Sequence, residues 1–229
     1  MSVFRVKQRR WQLTGLAMAL VAAGMFHSPQ VLACPSGTVD GTEALDSDCS
    51  IVLGNTVGVA TTGTLELNDF IWSIKNSSDL PFGKIENEGT IEATGSTGRS
   101  YILIDNINNE DSSFGYIVLD NESGASITKP STTASPSDRA LLQIKDSSGI
   151  SVTNAGSIRS SVSGDGVVKV FDSTNTAISN SGIIAARLTD DVAYADDSAG
   201  VVIDSLDEFG DDTIATITNQ TGGLIGGNI

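Results

Sequence analysis

The sequence predicts an all-β protein folded as a parallel β-helix, or β-solenoid, of about five coils. A seven-residue phrase, Ile-x-Asn-x-Gly-x-Ile, recurs along the chain, and short apolar strands precede several of its copies. Self-similarity at intervals of about 20 to 50 residues is typical of stacked repeats. Aromatic residues make up only 5% of the chain, which suits a solenoid because its core is a thin aliphatic column.

The phrase occurs three times in strict form and twice with one more residue on each side of the glycine. Its asparagines and glycines are Asn87 and Gly89, Asn121 and Gly124, Asn154 and Gly156, Asn180 and Gly182, and Asn219 and Gly222. Asparagine tolerates a left-handed backbone and glycine adopts it freely, so we predict a corner between two short strands. Stacked corners would align the asparagines in a ladder of amide hydrogen bonds. Antiparallel hairpins are the alternative, although their two-residue turns favour adjacent Asn-Gly.

Apolar runs of valine, isoleucine and leucine lead into the corners and end in aspartate, at Asp105, Asp146, Asp172 and Asp204. Their period-two alternation is typical of strands, and aspartate at a strand end is typical of turns. One repeat is therefore strand, turn, strand, turn, strand. We interpret these aspartates as turn caps and not as a pair of catalytic carboxylates.

Residues 1–33 are predicted to be a secretory signal peptide. A basic start is followed by the apolar segment Leu13–Met25 and by small residues up to a cleavage point after Ala33. A retained anchor is the less favoured interpretation because a membrane span needs about 20 apolar residues. Lipidation of Cys34, which follows the cleavage point directly, stays open as a second alternative.

The two cysteines of the chain, Cys34 and Cys49, both lie in the predicted exported part. Cysteines that lie close together in an oxidising compartment normally pair. A bridge would close a loop of about 15 residues and stabilise the fold by roughly 3 kcal/mol. The segment 34–66 lacks the phrase and is predicted to be an atypical N-terminal cap. Residues 67–229 are predicted to be the solenoid repeats, truncated or a fragment at the C-terminal end.

The predicted mature chain is strongly acidic. Removing the four basic residues of the leader leaves 9 Lys and Arg against 28 Asp and Glu, a net charge of 9 − 28 = −19. Such a chain repels nucleic acid and anionic lipid. The single histidine, His27, also lies in the leader. A Ser-His-Asp mechanism therefore lacks its base.

Two short matches to catalytic signatures remain. Residues 197–200, Asp-Ser-Ala-Gly, are similar to a protease nucleophile signature, but no histidine of the mature chain can serve it. Ser126-Ile-Thr-Lys129 matches Ser-x-x-Lys, which needs a helical turn to bring lysine onto serine, whereas here it ends a predicted strand. We therefore predict no catalytic residue and no cofactor.

Acidic pairs cluster toward the C-terminus, at Asp190-Asp191, Asp196-Asp197, Asp207-Glu208 and Asp211-Asp212. Carboxylate oxygens are the ligands that calcium prefers, but none of these pairs has EF-hand spacing. We predict a solvated acidic edge and no metal site, with calcium binding as the alternative.

An exported N-terminus with a short Cys–Cys loop, followed by Ile-x-Asn-x-Gly-x-Ile coils, resembles the N-terminal passenger region of bacterial autotransporters. The resemblance covers nearly all of the mature chain. It implies a right-handed parallel β-helix displayed on the outer membrane of Gram-negative bacteria, where many passengers are adhesins and others are proteases or esterases. The family's C-terminal β-barrel is not recognisable before Asn228-Ile229. We therefore expect outer-membrane attachment only through a missing translocator barrel.

The expected function is non-enzymatic: adhesin-like contact with host cells, matrix or other bacteria, through a glycan or a protein on their surface. The expected location is the cell surface or the extracellular medium, or the periplasm if the chain is truncated. A carbohydrate-active β-helix fragment and a purely structural stalk are the alternatives.

Overall fold

The structure is a computed structural model of the 229-residue chain. It describes residues 30–32, 34–35, 37–51, 55–77, 83–96, 98–108, 116–130, 139–161, 166–189, 199–204 and 214–227. Contacts divide the chain into two compact units, Met1–Gln30 and Val31–Ile229. The strands described below belong to the second unit, apart from Gln30, the first residue of strand β1.

The described ranges contain 21 short strands and no helix. Their bounds are β1 Gln30–Leu32, β2 Thr38–Val39, β3 Thr42–Leu45, β4 Cys49–Ile51, β5 Thr56–Val59, β6 Thr64–Glu66, β7 Ile71–Ser77, β8 Lys84–Asn87, β9 Thr90–Glu92, β10 Tyr101–Ile107, β11 Tyr116–Asn121, β12 Ser126–Lys129, β13 Leu142–Lys145, β14 Ile150–Asn154, β15 Ser157–Ser160, β16 Val168–Phe171, β17 Thr176–Asn180, β18 Ile183–Ala185, β19 Val201–Asp204, β20 Ala215–Asn219 and β21 Leu224–Gly226.

The strands form three sheets. Sheet A has the order β1-β3-β6-β9-β12-β15-β18-β21, sheet B the order β2-β5-β8-β11-β14-β17-β20, and sheet C the order β4-β7-β10-β13-β16-β19. The chain visits B, A and C in turn, and every pair whose register is described is parallel. The predicted parallel β-helix is confirmed.

One coil consists of one strand from each sheet. Coil 1 is β2–β4, coil 2 is β5–β7, coil 3 is β8–β10, coil 4 is β11–β13, coil 5 is β14–β16 and coil 6 is β17–β19. Strands β20 and β21 begin coil 7. The described part of the chain thus has six complete coils where the phrase marks five corners, because the phrase is absent from the first two coils.

The segment 34–66 is the part of the chain for which an atypical N-terminal cap was predicted. Its strands β2 to β6 lie in the same three sheets and pair in register with the coils that follow. Val39 and Val59 occupy the position that Asn87 takes in coil 3. A buried valine fills this position without an amide group. The Asn-x-Gly phrase is therefore absent from coils 1 and 2, although their strands pair in the same way as those of the later coils.

The core is a column of stacked aliphatic rows. In β14 the side chains alternate between buried and half-buried, as a strand with one face in a core requires. The inward row of sheet A includes Leu65, Ile91, Ile127, Ile158 and Ile184, and that of sheet C includes Ile51, Ile74, Ile104, Ile144 and Val170. Burying each such side chain stabilises the fold by roughly 1.5–3 kcal/mol.

The predicted disulfide joins Cys34 to Cys49 across a separation of 15 residues, with 5.5 Å between the two Cα atoms. Cys49 is buried in β4, in register with the fully buried Trp72 of β7. The bridge therefore ties the start of the solenoid to the core of its first two coils.

Candidate functional site

The corner between sheets B and A carries the recurring phrase and forms a continuous ladder of side-chain amides. The amide nitrogen of Asn87 lies 2.7 Å from the amide oxygen of Asn121, and the steps from Asn121 to Asn154, Asn154 to Asn180 and Asn180 to Asn219 measure 2.7, 2.6 and 2.8 Å. The four asparagines of coils 3 to 6 are at most 1% exposed. Buried amides paired in this way bind successive coils to one another.

The ladder has a direction. The amide nitrogen of each asparagine donates to the amide oxygen of the next coil and also to a backbone carbonyl there: Asn87 to Ser126, Asn121 to Ser157, Asn154 to Ile183, and Asn180 to Leu224. Each asparagine within the ladder therefore accepts from the coil before it and donates to the coil after it. The two ends of the ladder therefore differ chemically. At Asn87 the amide oxygen has no ladder asparagine before it, and at Asn219 the amide nitrogen has none after it within the described chain.

The predicted reason for these residues, a left-handed backbone, is wrong for most of them. No ladder asparagine has positive φ, and neither do Gly89, Gly156 and Gly182, all of which the structure describes. Those three glycines face the backbone of the preceding coil, where a Cβ on Gly182 would overlap the carbonyl oxygen of Gly156 and lie 2.7 Å from the carbonyl carbon of Ala155. The requirement for glycine here is close approach between coils, not torsional freedom.

The looser copies follow a different rule. Gly124 and Gly222 have φ of +88° and +89°, and a Cβ added at either position would meet open space. These two positions therefore do need a left-handed backbone. The register places Ala125 and Gly223, not Gly124 and Gly222, directly before the sheet A strand, where Gly89 stands in coil 3. In these two coils the turn has four residues, so the glycine of the phrase lies one residue before the position that Gly89 occupies. The spacing in the sequence did not reveal this difference.

A second ladder lies at the corner between sheets C and B, and sequence reasoning missed it. The hydroxyl oxygen of Ser173 accepts from the backbone N–H of Ser147 at 3.1 Å, and that of Ser147 accepts from the N–H of Ile107 at 3.3 Å. Asp146 and Asp172, which precede these serines, have φ of +46° and +47°. The signal was present as Asp-Ser-Ser-Gly and Asp-Ser-Thr-Asn, 26 residues apart.

The four strand-end aspartates therefore divide into two classes. Asp146 and Asp172 occupy left-handed turn positions, in agreement with a role as turn residues. Asp105 and Asp204 lie one residue earlier, on the outer face of sheet C, where Asp105 is in register with Lys145 and Asp204 with Phe171. The sequence pattern alone did not separate the two classes.

The solvent-facing side of the asparagine corner is rich in hydroxyls and carboxylates, and we name it the corner face. Its two rows in register are Gly58, Glu86, Asp120, Thr153, Ser179 and Thr218 on sheet B, and Thr42, Thr64, Thr90, Ser126 and Ser157 on sheet A. Turn residues Asp40, Glu88 and Glu122 between the rows are exposed. Strand spacing repeats these groups about every 4.8 Å along the solenoid.

Lys84 partly neutralises the corner face. Its ammonium lies 2.8 Å from Glu86 and 3.3 Å from Asp120, and 19% of the lysine side chain is exposed. Burial lowers the pKa of Lys84, but the hydrogen bonds and charges of Glu86 and Asp120 outweigh burial and raise the pKa above its usual value. The lysine therefore stays charged at neutral pH. The hydroxyl of Thr153 in turn lies 2.7 Å from Asp120 and donates to it.

The outer face of sheet C is electrostatically mixed. Lys75, Asp105 and Lys145 alternate in sign along one row. Cations also lie over aromatic rings, with Arg139 5.6 Å from the ring centre of Tyr101 and Lys169 5.7 Å from that of Phe171. Unlike this face, the corner face of coils 1 to 4 carries a concentration of negative charge.

Ser126 and Lys129 of the Ser-x-x-Lys match do not meet. Residues three apart on a strand point to opposite faces: the Ser126 hydroxyl lies 3.3 Å from that of Thr90 on the corner face, while Lys129 is 3% exposed. The Lys129 ammonium donates to the carbonyl oxygens of Gly98 and Arg139, at 3.1 and 2.9 Å. It joins the loops of neighbouring coils and does not activate the serine.

Several sequence predictions lie outside the described residues. They include the leader up to residue 29, the cleavage point at Ala33, Asp197 and Ser198 of the protease-like match, and all four acidic pairs considered for calcium. Among the residues that are described, no group of three or more His, Cys, Asp or Glu could hold a metal ion. The described part also contains no helix with the length and apolarity to cross a membrane.

Comparison with known proteins returned no match among family models, curated proteins or solved structures.

Proposed function

We propose that this chain is an exported, adhesin-like β-solenoid that contacts surface glycans or proteins of host cells or other bacteria through its corner face. The observation that supports this most directly is the pair of outward rows of hydroxyls and carboxylates in strict register. A rigid, elongated array of repeated polar groups suits many weak contacts with an extended partner.

Repetition supplies the affinity in such an arrangement. Thr64, Thr90 and Ser126 stand in one line, each a hydrogen-bond donor and acceptor. A hydroxyl-rich polymer such as a glycan chain can meet several of them together, and linked contacts raise the overall affinity far above that of one contact. The surrounding carboxylates favour a neutral or basic partner and repel nucleic acid.

Export is supported by the Cys34–Cys49 disulfide, because structural disulfides persist in oxidising compartments. The leader-like N-terminus and the resemblance to autotransporter passengers point the same way. We therefore propose the cell surface or the extracellular medium as the site of action.

A glycan array and a cell-adhesion assay with the purified, disulfide-bonded chain test this function. The double variant Thr64→Val and Thr90→Val removes two hydroxyls from the corner face and preserves side-chain shape. Loss of two weak hydrogen bonds should reduce binding about tenfold or more. The matched control is Ser148→Ala with Thr174→Val, whose hydroxyls lie 3.1 Å apart at the corner between sheets C and B; it should bind as the wild type does.

The outcomes separate the three candidate functions. Binding that depends on Thr64 and Thr90 without chemical change supports the adhesin. Cleavage of a bound glycan would reject the adhesin and support a carbohydrate-active enzyme. Absence of binding to the array and to cells would leave a structural stalk and reject the proposal.

A further inference from the structure

The outer face of sheet A repeats one pair of side chains in coils 2 and 3. Strand β6 places Thr64 and Glu66 on this face and strand β9 places Thr90 and Glu92 there, while the residue between them is fully buried in each strand. The register sets threonine beside threonine, the hydroxyl pair, and glutamate beside glutamate, the carboxylate pair. On each strand the Cα atoms of threonine and glutamate lie about 6.6 Å apart.

The carboxylate pair has no counter-ion in the chain. Like charges directly opposite each other on neighbouring strands destabilise a sheet. All 9 Lys and Arg of the predicted mature chain lie within the described residues, and neither Glu66 nor Glu92 forms an ion pair with any of them. Ala44 and Thr128, which flank the two glutamates in the same row, are uncharged. Neutralisation of the pair therefore requires a cation from outside the chain.

Sheet B shows how the chain neutralises such a pair elsewhere. Glu86 and Asp120 also stand in register on neighbouring strands. The ammonium of Lys84 contacts both carboxylates, at 2.8 Å from Glu86 and 3.3 Å from Asp120. A single ammonium group thus satisfies two carboxylates that stand one strand spacing apart. The carboxylate pair of sheet A has the same register and lacks the ammonium.

We propose that the carboxylate pair binds the ammonium group of an amino sugar, while the hydroxyl pair binds hydroxyl groups of the same sugar. The inference rests on the glycan contact proposed for the corner face, to which Thr64 and Thr90 belong, and it names the class of glycan. A sugar with a free amine carries an ammonium and several hydroxyls on one ring, within the span of the two pairs. The negative charge of the neighbouring Glu88 also favours a cationic sugar over an acidic one.

Other cations match this face less well. Calcium takes about six to eight oxygen ligands, and the described residues contain no group of three or more His, Cys, Asp or Glu that could hold a metal ion. A lysine of a partner protein would bring the same ammonium on an apolar stem, which leaves the hydroxyl pair without a partner. An amino sugar uses both pairs, because each threonine hydroxyl can donate and accept.

Oligomers of glucosamine and of N-acetylglucosamine, equal in length, are matched probes because only the first carries ammonium groups. Calorimetric titration of the purified, disulfide-bonded chain is carried out at a mildly acidic pH, where the sugar amine is protonated. We expect the glucosamine oligomer to bind about tenfold more tightly than the acetylated oligomer. Its affinity should also fall as salt is added, since salt screens exposed charges.

The double variant Glu66→Gln and Glu92→Gln tests the carboxylate pair. It should weaken binding of the glucosamine oligomer about tenfold, because two ion pairs with the ligand are lost. The variant should fold at least as well as the wild type, since it removes repulsion between like charges, and its melting temperature measures this. The matched control is Glu88→Gln with Glu122→Gln, which removes the same charge from exposed turns of the corner face and should change the affinity about twofold or less.

The outcomes distinguish this inference from the adhesive function on which it rests. Equal affinity for the two oligomers, or an affinity that Glu66→Gln with Glu92→Gln leaves unchanged, overturns the amino-sugar assignment even where other glycans bind the corner face. An oligolysine of equal charge that bound as tightly as the glucosamine oligomer would show recognition of charge alone and would also overturn it. Binding to neither glycans nor cells would reject the adhesive function and this inference together.

Discussion

Coil 5 carries the strict form of the phrase and coil 7 the looser form, and the asparagines of the two coils differ in burial and in hydrogen bonding. Asn154 is 1% exposed and has partners on the coils before and after it. Asn219 accepts from Asn180 in the same way but is exposed, and within the described chain its amide nitrogen donates only inside its own turn. Either form of the phrase thus places its asparagine in the ladder, while burial and full hydrogen bonding come from the coil that follows.

The same contrast appears among the glycines, where we expect the most destabilising substitution. Gly182→Ala should lower the free energy of unfolding by more than about 3 kcal/mol, because the added Cβ meets the backbone of Gly156 and Ala155, which cannot move aside without separating two coils. Gly222→Ala meets open space but has to adopt φ of +89°, at a cost of about 1–2 kcal/mol. Urea unfolding of both variants measures the difference, and equal losses would contradict the steric explanation.

Removal of the disulfide should cost nearly as much and should act at the opposite end. The double variant Cys34→Ser and Cys49→Ser releases a 15-residue loop and should lose about 3 kcal/mol. Hydrogen exchange should accelerate in coils 1 and 2 and stay slow at the ladder of coils 5 and 6. Reduction of the disulfide in the wild type should produce the same change, which controls for effects of the serine side chains. Uniform acceleration along the chain would show that the coils unfold as a single unit.

Replacing ladder asparagines tests the comparison between coils 5 and 7 directly. Asn154→Leu leaves the buried amide of Asn121 without its acceptor and should cost roughly 2–3 kcal/mol. Asn219→Leu removes an acceptor from the buried Asn180, but that amide keeps the carbonyl oxygens of Gly182 and Leu224, and Asn219 itself is exposed, so the variant should cost less, about 1 kcal/mol. If the two variants were equally unstable in urea, the ladder would owe its stability to each local turn and not to stacking.

Glu43 in coil 1 should give the weakest response of these variants. Burial, together with the charge of Asp40, raises the pKa of this carboxyl above its usual value. The folded state therefore binds the proton more tightly than the unfolded state, and stability falls as the pH rises through the raised pKa. Glu43→Gln should stabilise the chain by a few tenths of a kcal/mol at pH 7, after allowance for solvent screening. The stability advantage of Glu43→Gln over the wild type should vanish below the unfolded pKa of about 4.3. A difference in melting temperature between the two proteins that stayed constant from about pH 3.5 to 7 would contradict this.

Much of the architecture could be predicted because it rests on local patterns. Period-two alternation in strands such as Ile150–Asn154 and the recurrence of Asn-x-Gly together indicated stacked parallel strands and an amide ladder. The pairing of Cys34 with Cys49 followed from their number and from the expected compartment. Coils 1 and 2 were missed because Val39 and Val59 fill the ladder position, and the serine corner was missed because Ser147 and Ser173 follow aspartates that were grouped with Asp105 and Asp204.

Strand periodicity, the repeated corner and the residues of the ladder follow from the amino-acid sequence alone, since they depend on backbone preference and on hydrophobic alternation within a few residues. The folded chain was needed to explain why Gly89, Gly156 and Gly182 must be glycine, which asparagines are buried, and which way the ladder donates. Each of those properties depends on the coil that lies above or below, 26 to 39 residues away in the chain. Sequence spacing does not encode such contacts, because the distance between stacked backbones is set by packing of the whole column.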